Sequence, residues 1–189
     1  MMLIIGNGES RSGIDLNKIN MPKIGCNAVF RDCYTEHLVC VDRPMVKEAI
    51  SFGATEDRTV YTRSDWYMRF DIEPVPNLPY QGAAKADDPF NWGSGAYAVL
   101  LGATLSSTVG LIGFDLYSSN GKINNVYKDS ENYKHSDHSA VDPRYWIYQI
   151  AQVVSHFPQT QFTIFQTDAW QLPNSWKKSN LTVDSISNI

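Results

Sequence analysis

The chain is short of the features that assign a protein at a glance. Its 189 residues hold three cysteines, Cys26, Cys33 and Cys40, and no two of them form a Cys-x-x-Cys pair. A zinc knuckle or a thioredoxin-type redox motif is therefore not supported. No apolar run approaches the roughly 20 residues needed to cross a bilayer, so stable membrane insertion is not expected. No basic stripe occurs either: 16 Lys and Arg stand against 20 Asp and Glu, a net charge of −4. The largest basic cluster is Lys177-Lys178. Proteins that wrap nucleic acid neutralise phosphates with clustered cations, so nucleic acid is not an expected partner. No basic stretch precedes the apolar Met1–Ile5 segment, so no signal peptide is expected. An odd cysteine count then fits a reducing, cytoplasmic compartment.

What the chain does have is a core. Hydrophobic residues make up 43% and charged residues 19%, a balance that excludes a disordered chain. Short apolar runs at residues 2–5, 23–25, 37–41, 59–62, 109–113 and 161–165 read as buried strands. Helical spacing occupies residues 43–52, 94–105 and 142–156. In the last of these, Ile147, Ile150, Ala151, Val154 and Phe157 form one core-facing stripe. Residues 73–89 and 117–139 read as long loops. Strands alternating with helices predict an α/β fold, a Rossmann-like three-layer sandwich with a mostly parallel sheet. Residues 1–170 are expected to form a single domain and residues 171–189 a C-terminal tail.

In such sheets ligands sit beyond the carboxyl ends of the strands, and there the polar signals gather. Gly6-Asn7-Gly8-Glu9-Ser10 follows the first strand, either as a plain tight turn or as a loop whose amides hold a phosphate. It is not a dinucleotide fingerprint, because Arg11 stands where the third glycine belongs, and no Walker lysine follows. Asn27 and Asp42 end the next strands, with Asp42 also placed to cap a helix. Asp115 ends a later strand and either touches a ligand or braces a loop. Gly93-Ser94-Gly95 opens the small-residue helix, whose N-terminus suits an anion; Ser94 either caps it or meets the ligand. The loop at 117–139 holds Tyr117, Tyr127, Tyr133, His135 and His138. Histidine is a natural general base, and a tyrosine hydroxyl can donate to a leaving phosphate. No Asp-x-Asp motif of the metal-dependent sugar-nucleotide sites occurs, and His135-x-x-His138 alone does not specify a metal, so no metal and no cofactor are expected.

Taken in order, Ile4-Ile5-Gly6-Asn7-Gly8-Glu9-Ser10, Gly13-Ile14-Asp15, Gly25-Cys26-Asn27, Gly93-Ser94-Gly95-Ala96-Tyr97, the run from Val109 to Tyr117 with Gly113-Phe114-Asp115, and the later His-Ser pairs resemble the bacterial family-42 sialyltransferases. The similarity extends, with gaps, from Met1 to Phe165. A broader group of Rossmann-like proteins, some from phages, shares the Gly-Asn-Gly and Gly-Phe-Asp signatures. The resemblance implies a CMP-sugar donor, a glycan acceptor and inverting transfer without a metal, in a bacterium or phage-infected host. It implies that Asn7, Asn27 and Ser94 contact the nucleotide or donor; by their place in the same loops and strand ends, Gly6, Gly8, Ser10, Gly95 and Asp115 are expected to complete that site. Tyr117 would donate to the departing phosphate, with Tyr127 as a second phosphate tyrosine. The base would be His138, nearer the following helix, or His135. The family's arginine before Ser-Gly is absent, since Asn91 and Trp92 precede Gly93-Ser94. Two other functions stay open: a non-catalytic structural or binding module of phage or bacterium, and a nucleotide pyrophosphokinase or hydrolase. A homo-oligomer is equally open.

Overall fold

A computed structural model describes residues 1–189. Its strands in chain order are β1 (Met2–Ile5), β2 (Lys23–Cys26), β3 (His37–Val39), β4 (Thr59–Thr62), β5 (Glu73–Pro74), β6 (Thr108–Ile112), β7 (Gln161–Gln166) and β8 (Leu181–Ser185). The helices are α1 (Arg43–Ser51), α2 (Ala54–Asp57), α3 (Tyr67–Phe70), α4 (Ser94–Leu105) and α5 (Arg144–His156). The eight strands form one sheet in the order β5-β4-β3-β2-β1-β6-β7-β8. Every pairing is parallel, so the sheet is wholly rather than mostly parallel.

The central strands are apolar on both sides because both sheet faces are covered. Ile4 lies in register with Ile24 of β2 and Leu111 of β6. These three join a cluster with α4 and α5, whereas Leu3, Ile5 and Ile112 pack on the opposite face with Leu16, Val29 and Cys33. The alternation is that of any strand, and burying each such aliphatic side chain contributes about 1.5–3 kcal/mol. On that second face α1 and α2 add Met45, Val46, Ala49 and Ala54 over Leu38 and Val60. The result is the α/β Rossmann-like fold expected. α4 is apolar almost all round because it is sandwiched: the sheet covers one side and α5 covers another. Of the α5 stripe, Ile150, Ala151 and Val154 are buried and Ile147 and Phe157 are partly buried against the same cluster.

Two strands carry little apolar signal. β5 falls within the segment read as a loop; it has two residues, and its Pro74 is tolerated because it sits at the sheet edge. β8 falls within the segment read as a tail. Only Leu181 of its five residues is buried, since an edge strand needs no second apolar face. That segment is also pinned by single side chains. Trp176 is wholly buried and its indole donates to Ile147 O at 2.8 Å. The Asn180 amide donates to Val154 O, Phe157 O and Thr160 O, each at 3.1 Å, closing the carbonyl end of α5.

The chain lays down β1 to β5 on one side and then returns to place β6 on the other side of β1. The crevice at the carboxyl ends of β1 and β6 is therefore the topological switch point.

Candidate functional site

A cavity of about 260 Å³ opens at that switch point, walled by the ends of β1, β2 and β6 and by the first turn of α4. The first glycine loop forms its floor. Gly6 N donates to Ile112 O and Gly8 N to Gly113 O, both at 2.8 Å. A Cβ on Gly6 would stand 2.4 Å from Gly113 O, and one on Gly8 would stand 2.4 Å from Asp115 Cγ. These glycines are thus required by the approach of the β6 loop. Asp115 accepts from Ser10 N at 2.8 Å, from Ser10 Oγ, and from Gln166 Nε2 at 3.0 Å. Ser10 and Asp115 therefore hold each other, and Asp115 acts as the brace between the β1 and β6 loops.

Arg11, which displaces the third glycine, folds back beneath the loop. Its Nε donates to Gly6 O at 2.8 Å, and its guanidinium reaches Asp32 at 2.9 Å and Tyr127 Oη at 2.7 Å. Tyr127 Oη in turn donates to Asp32 at 2.5 Å. Tyr127 is buried in this bracket and does not line the cavity. Burial holds its hydroxyl far above the ordinary tyrosine range, with Arg11 opposing that shift.

The residues with groups left over line the cavity. Asn7 donates from Nδ2 to Tyr133 Oη at 3.2 Å, yet its Oδ1 is buried with no partner. Whichever way the amide is turned, one end lacks a protein partner. Asn27 sits at φ +52°, a conformation asparagine tolerates better than most residues. Its Oδ1 accepts from Ser94 Oγ at 2.6 Å, and its Nδ2 has no protein partner. Ser94 Oγ also accepts from Val41 N at 3.0 Å. Ser94 therefore ties β2 and β3 to α4 rather than capping the helix; Gly93 is the capping residue. The amides of Gly95 and Ala96 make no hydrogen bond to protein, and the helix dipole adds about half a positive charge there. Cys26 also lines the wall, but burial pushes its thiol up to about 12, which leaves it unreactive.

Tyr117 stands half-exposed on the rim. His135 and His138 do not line the cavity; both are exposed, with stacked rings 6.1 Å apart. Each pairs with a carboxylate, His135 with Asp129 at 3.3 Å and His138 with Asp137 at 3.1 Å. The structure thus brings together Gly6, Asn7, Gly8, Asn27, Ser94, Gly95, Asp115 and Tyr117 in one wall. It sets Ser10 behind the brace, Tyr127 beneath the loop and both histidines outside. Sequence reading gave no role here to Trp146, Asn124 and Asn125, which complete the wall. Their signal was faint, because asparagines in a loop and an aromatic on a helix are common. Asp42, read as a cap, occupies that position without a side-chain cap bond and lines the cavity instead. No Lys, Arg or His lines it, and nowhere do three His, Cys, Asp or Glu side chains cluster as a metal site.

No family model and no curated protein matches the chain. Among solved structures, the monofunctional alpha-2,3-sialyltransferase Cst-I from Campylobacter jejuni superposes with a TM-score of 0.58. The match covers 94% of this chain and 79% of that one at 16% identity. At that identity the likeness is one of fold: this chain is built on the same Rossmann-like arrangement as a sialyltransferase.

Proposed function

We propose that this chain is a glycosyltransferase that binds a nucleotide-activated sugar in the switch-point cavity and transfers the sugar, with inversion and without a metal, to an acceptor hydroxyl. The observation that carries the reading is the buried, unpartnered Asn7 Oδ1 in the cavity wall. A buried acceptor without a donor costs about 1–3 kcal/mol, and a ligand N–H or O–H would relieve it. Asn27 Nδ2 and the amides of Gly95 and Ala96 offer the complementary donors. In this reading the phosphate lies against the first turn of α4, and the rim hydroxyl of Tyr117 donates to it as it departs. Ser10 and Asp115 hold the donor loop in shape. Tyr127 supports it through Arg11 rather than by contact with phosphate.

The wall's charge favours one donor class. With no cation in it and with the carboxylates of Asp42 and Asp115 among its lining, only the helix end and neutral amides can receive the phosphate. A CMP-type sugar brings a single phosphodiester charge; diphosphate and triphosphate donors bring more, with no side-chain cation in the wall to match it. A neighbouring hollow of about 210 Å³ shares Tyr117, Asn124, Asn125 and Trp146 and gives room for the sugar. The fold likeness to a sialyltransferase is consistent with this reading. By the sequence resemblance, His138 or His135 would serve as base, which requires the 117–139 loop to swing inward.

The test is calorimetry of the full chain with CMP, CDP, CTP, UDP, GDP and ATP, each with and without magnesium. CMP is expected to bind most tightly, with magnesium making no difference, and to raise the unfolding temperature. Binding of none of them would favour the non-catalytic module. Magnesium-dependent binding of a triphosphate would favour a pyrophosphokinase or hydrolase.

A further inference from the structure

Beside the nucleotide cavity lies another hollow, of about 300 Å³. The two share Asp42, Gly93 and Trp146. Its character is different. Phe90 is 53% exposed, Tyr145 39% and Trp146 36%, so three aromatic side chains border one small depression. Arg63 lies over the Phe90 ring at 5.4 Å and is held there by both oxygens of Asp65, at 3.0 and 2.8 Å. Large aromatics left exposed together at a cleft mark a binding surface. A pyranose suits such a surface because it offers apolar C–H faces to rings and hydroxyls to the polar edge.

Three carboxylates line the two hollows. Asp115 accepts three hydrogen bonds from Ser10 and Gln166. Asp142 is held by Arg144, whose Nε donates at 2.6 Å and whose backbone N donates at 3.0 Å. Asp42 stands at the junction of the two hollows, and its side chain caps nothing. Its neighbour Val41 is tied to Ser94 Oγ, which fixes Asp42 beside the first turn of α4. There a carboxylate would repel a phosphate it touched, but it can accept a proton from a hydroxyl presented from the aromatic side.

Resting on the donor assignment above, the geometry points to the aromatic hollow as the acceptor-sugar subsite, with Asp42, in place of the two histidines that line neither hollow, as the base that activates the acceptor hydroxyl. The acceptor O–H gives its proton to the Asp42 carboxylate while its oxygen forms a bond to the anomeric carbon. The bond from that carbon to the phosphate oxygen breaks, and its electron pair leaves with the nucleoside monophosphate toward the Gly95 and Ala96 amides. The proton on Asp42 then passes to water.

The experiment uses the full chain with CMP-N-acetylneuraminic acid as donor and lactose or water as acceptor, reading CMP release and transfer. Asp42→Asn is expected to lower kcat by about 100- to 10,000-fold while the Kd for CMP stays within about twofold. Sodium formate is expected to restore part of the turnover of Asp42→Ala. Phe90→Ala should raise KM for lactose by about fivefold, the loss of one aromatic contact, with CMP binding unchanged; it carries the test if the Asp42 variants do not fold. Full turnover in Asp42→Asn, or turnover abolished in His138→Ala but kept in Asp42→Asn, overturns the assignment of the base alone. An unchanged KM in Phe90→Ala overturns the acceptor subsite. A wild-type chain that binds CMP but releases none from the donor overturns the catalytic step. One that binds no CMP overturns the donor reading together with it.

Discussion

Two glycine-bearing loops meet at the same sheet edge and do opposite work. In Gly6-Asn7-Gly8 the glycines are filled from the protein side, by Gly113 O and the Asp115 carboxylate, and their amides are bonded to the β6 loop. Only the Asn7 amide is left for a ligand. In Gly93-Ser94-Gly95 the serine is committed to Asn27 and Val41, but the amides that follow it are free. The more conspicuous motif is mainly architecture, and the plainer one presents the unbonded amides. A glycine therefore reports close approach without saying whether protein or ligand does the approaching.

This contrast can be broken by substitution. The largest effect is expected for Gly6→Ala, whose new methyl meets backbone that cannot rotate away. It should cost about 3 kcal/mol, read as a lowered urea midpoint; a loss under about 1 kcal/mol would mean the two loops are not so tightly joined. Asp115→Ala comes next, at about 2–3 kcal/mol, because it strands the Ser10 amide and the Gln166 side chain in a buried place. Asn7→Ala should weaken CMP binding about tenfold, equivalent to about 1.4 kcal/mol, while stability changes by less than about 1 kcal/mol. Unchanged binding would remove the first loop from the site. Gly95→Ala is expected to change stability by under about 0.5 kcal/mol, since its methyl would lie 3.4 Å from Phe114 Cε1, an ordinary contact, and alanine favours the helix. A loss as large as that of Gly6→Ala would erase the distinction between the loops.

The smallest effect concerns the histidine loop. Hydrogen bonds from the Ser136 amide and hydroxyl, and then from His135, hold the Asp129 carboxyl below its usual 3.8. A depressed carboxylate favours the folded loop above that value and loses its contribution as pH falls through the folded one. The protection factor of the Ser136 amide, its exchange measured against the intrinsic rate at each pH, should therefore fall below about pH 4 while the sheet stays protected. Protection at Ser136 that persists to pH 2 would show that Asp129 does not order this turn.

Much of this architecture could be read directly. The apolar runs of β1, β3, β6 and β7, the stripe of α5 and the small-residue face of α4 are one-dimensional patterns set by burial on both sides of a sheet. From them the α/β fold and the edge at which the cavity opens follow, because parallel strands need crossovers and crossovers leave a switch point. Asn7 and Asn27 were legible as strand-end polar residues for the same reason, Ser94 as the polar opening of a helix and Tyr117 as the start of a polar, aromatic loop. β5 and β8 were not, because an edge strand is specified by its neighbour's backbone and not by its own side chains. Nor could sequence decide which polar groups are already satisfied. Tyr127 and Tyr117 are alike on paper, and only the fold gives one to Arg11 and Asp32 and leaves the other on the rim. Asp115 and Asp42 are alike too, and only the fold saturates one and frees the other. Periodicity belongs to the chain, whereas hydrogen-bond satisfaction depends on partners as many as 126 positions apart, and distance in space decides it.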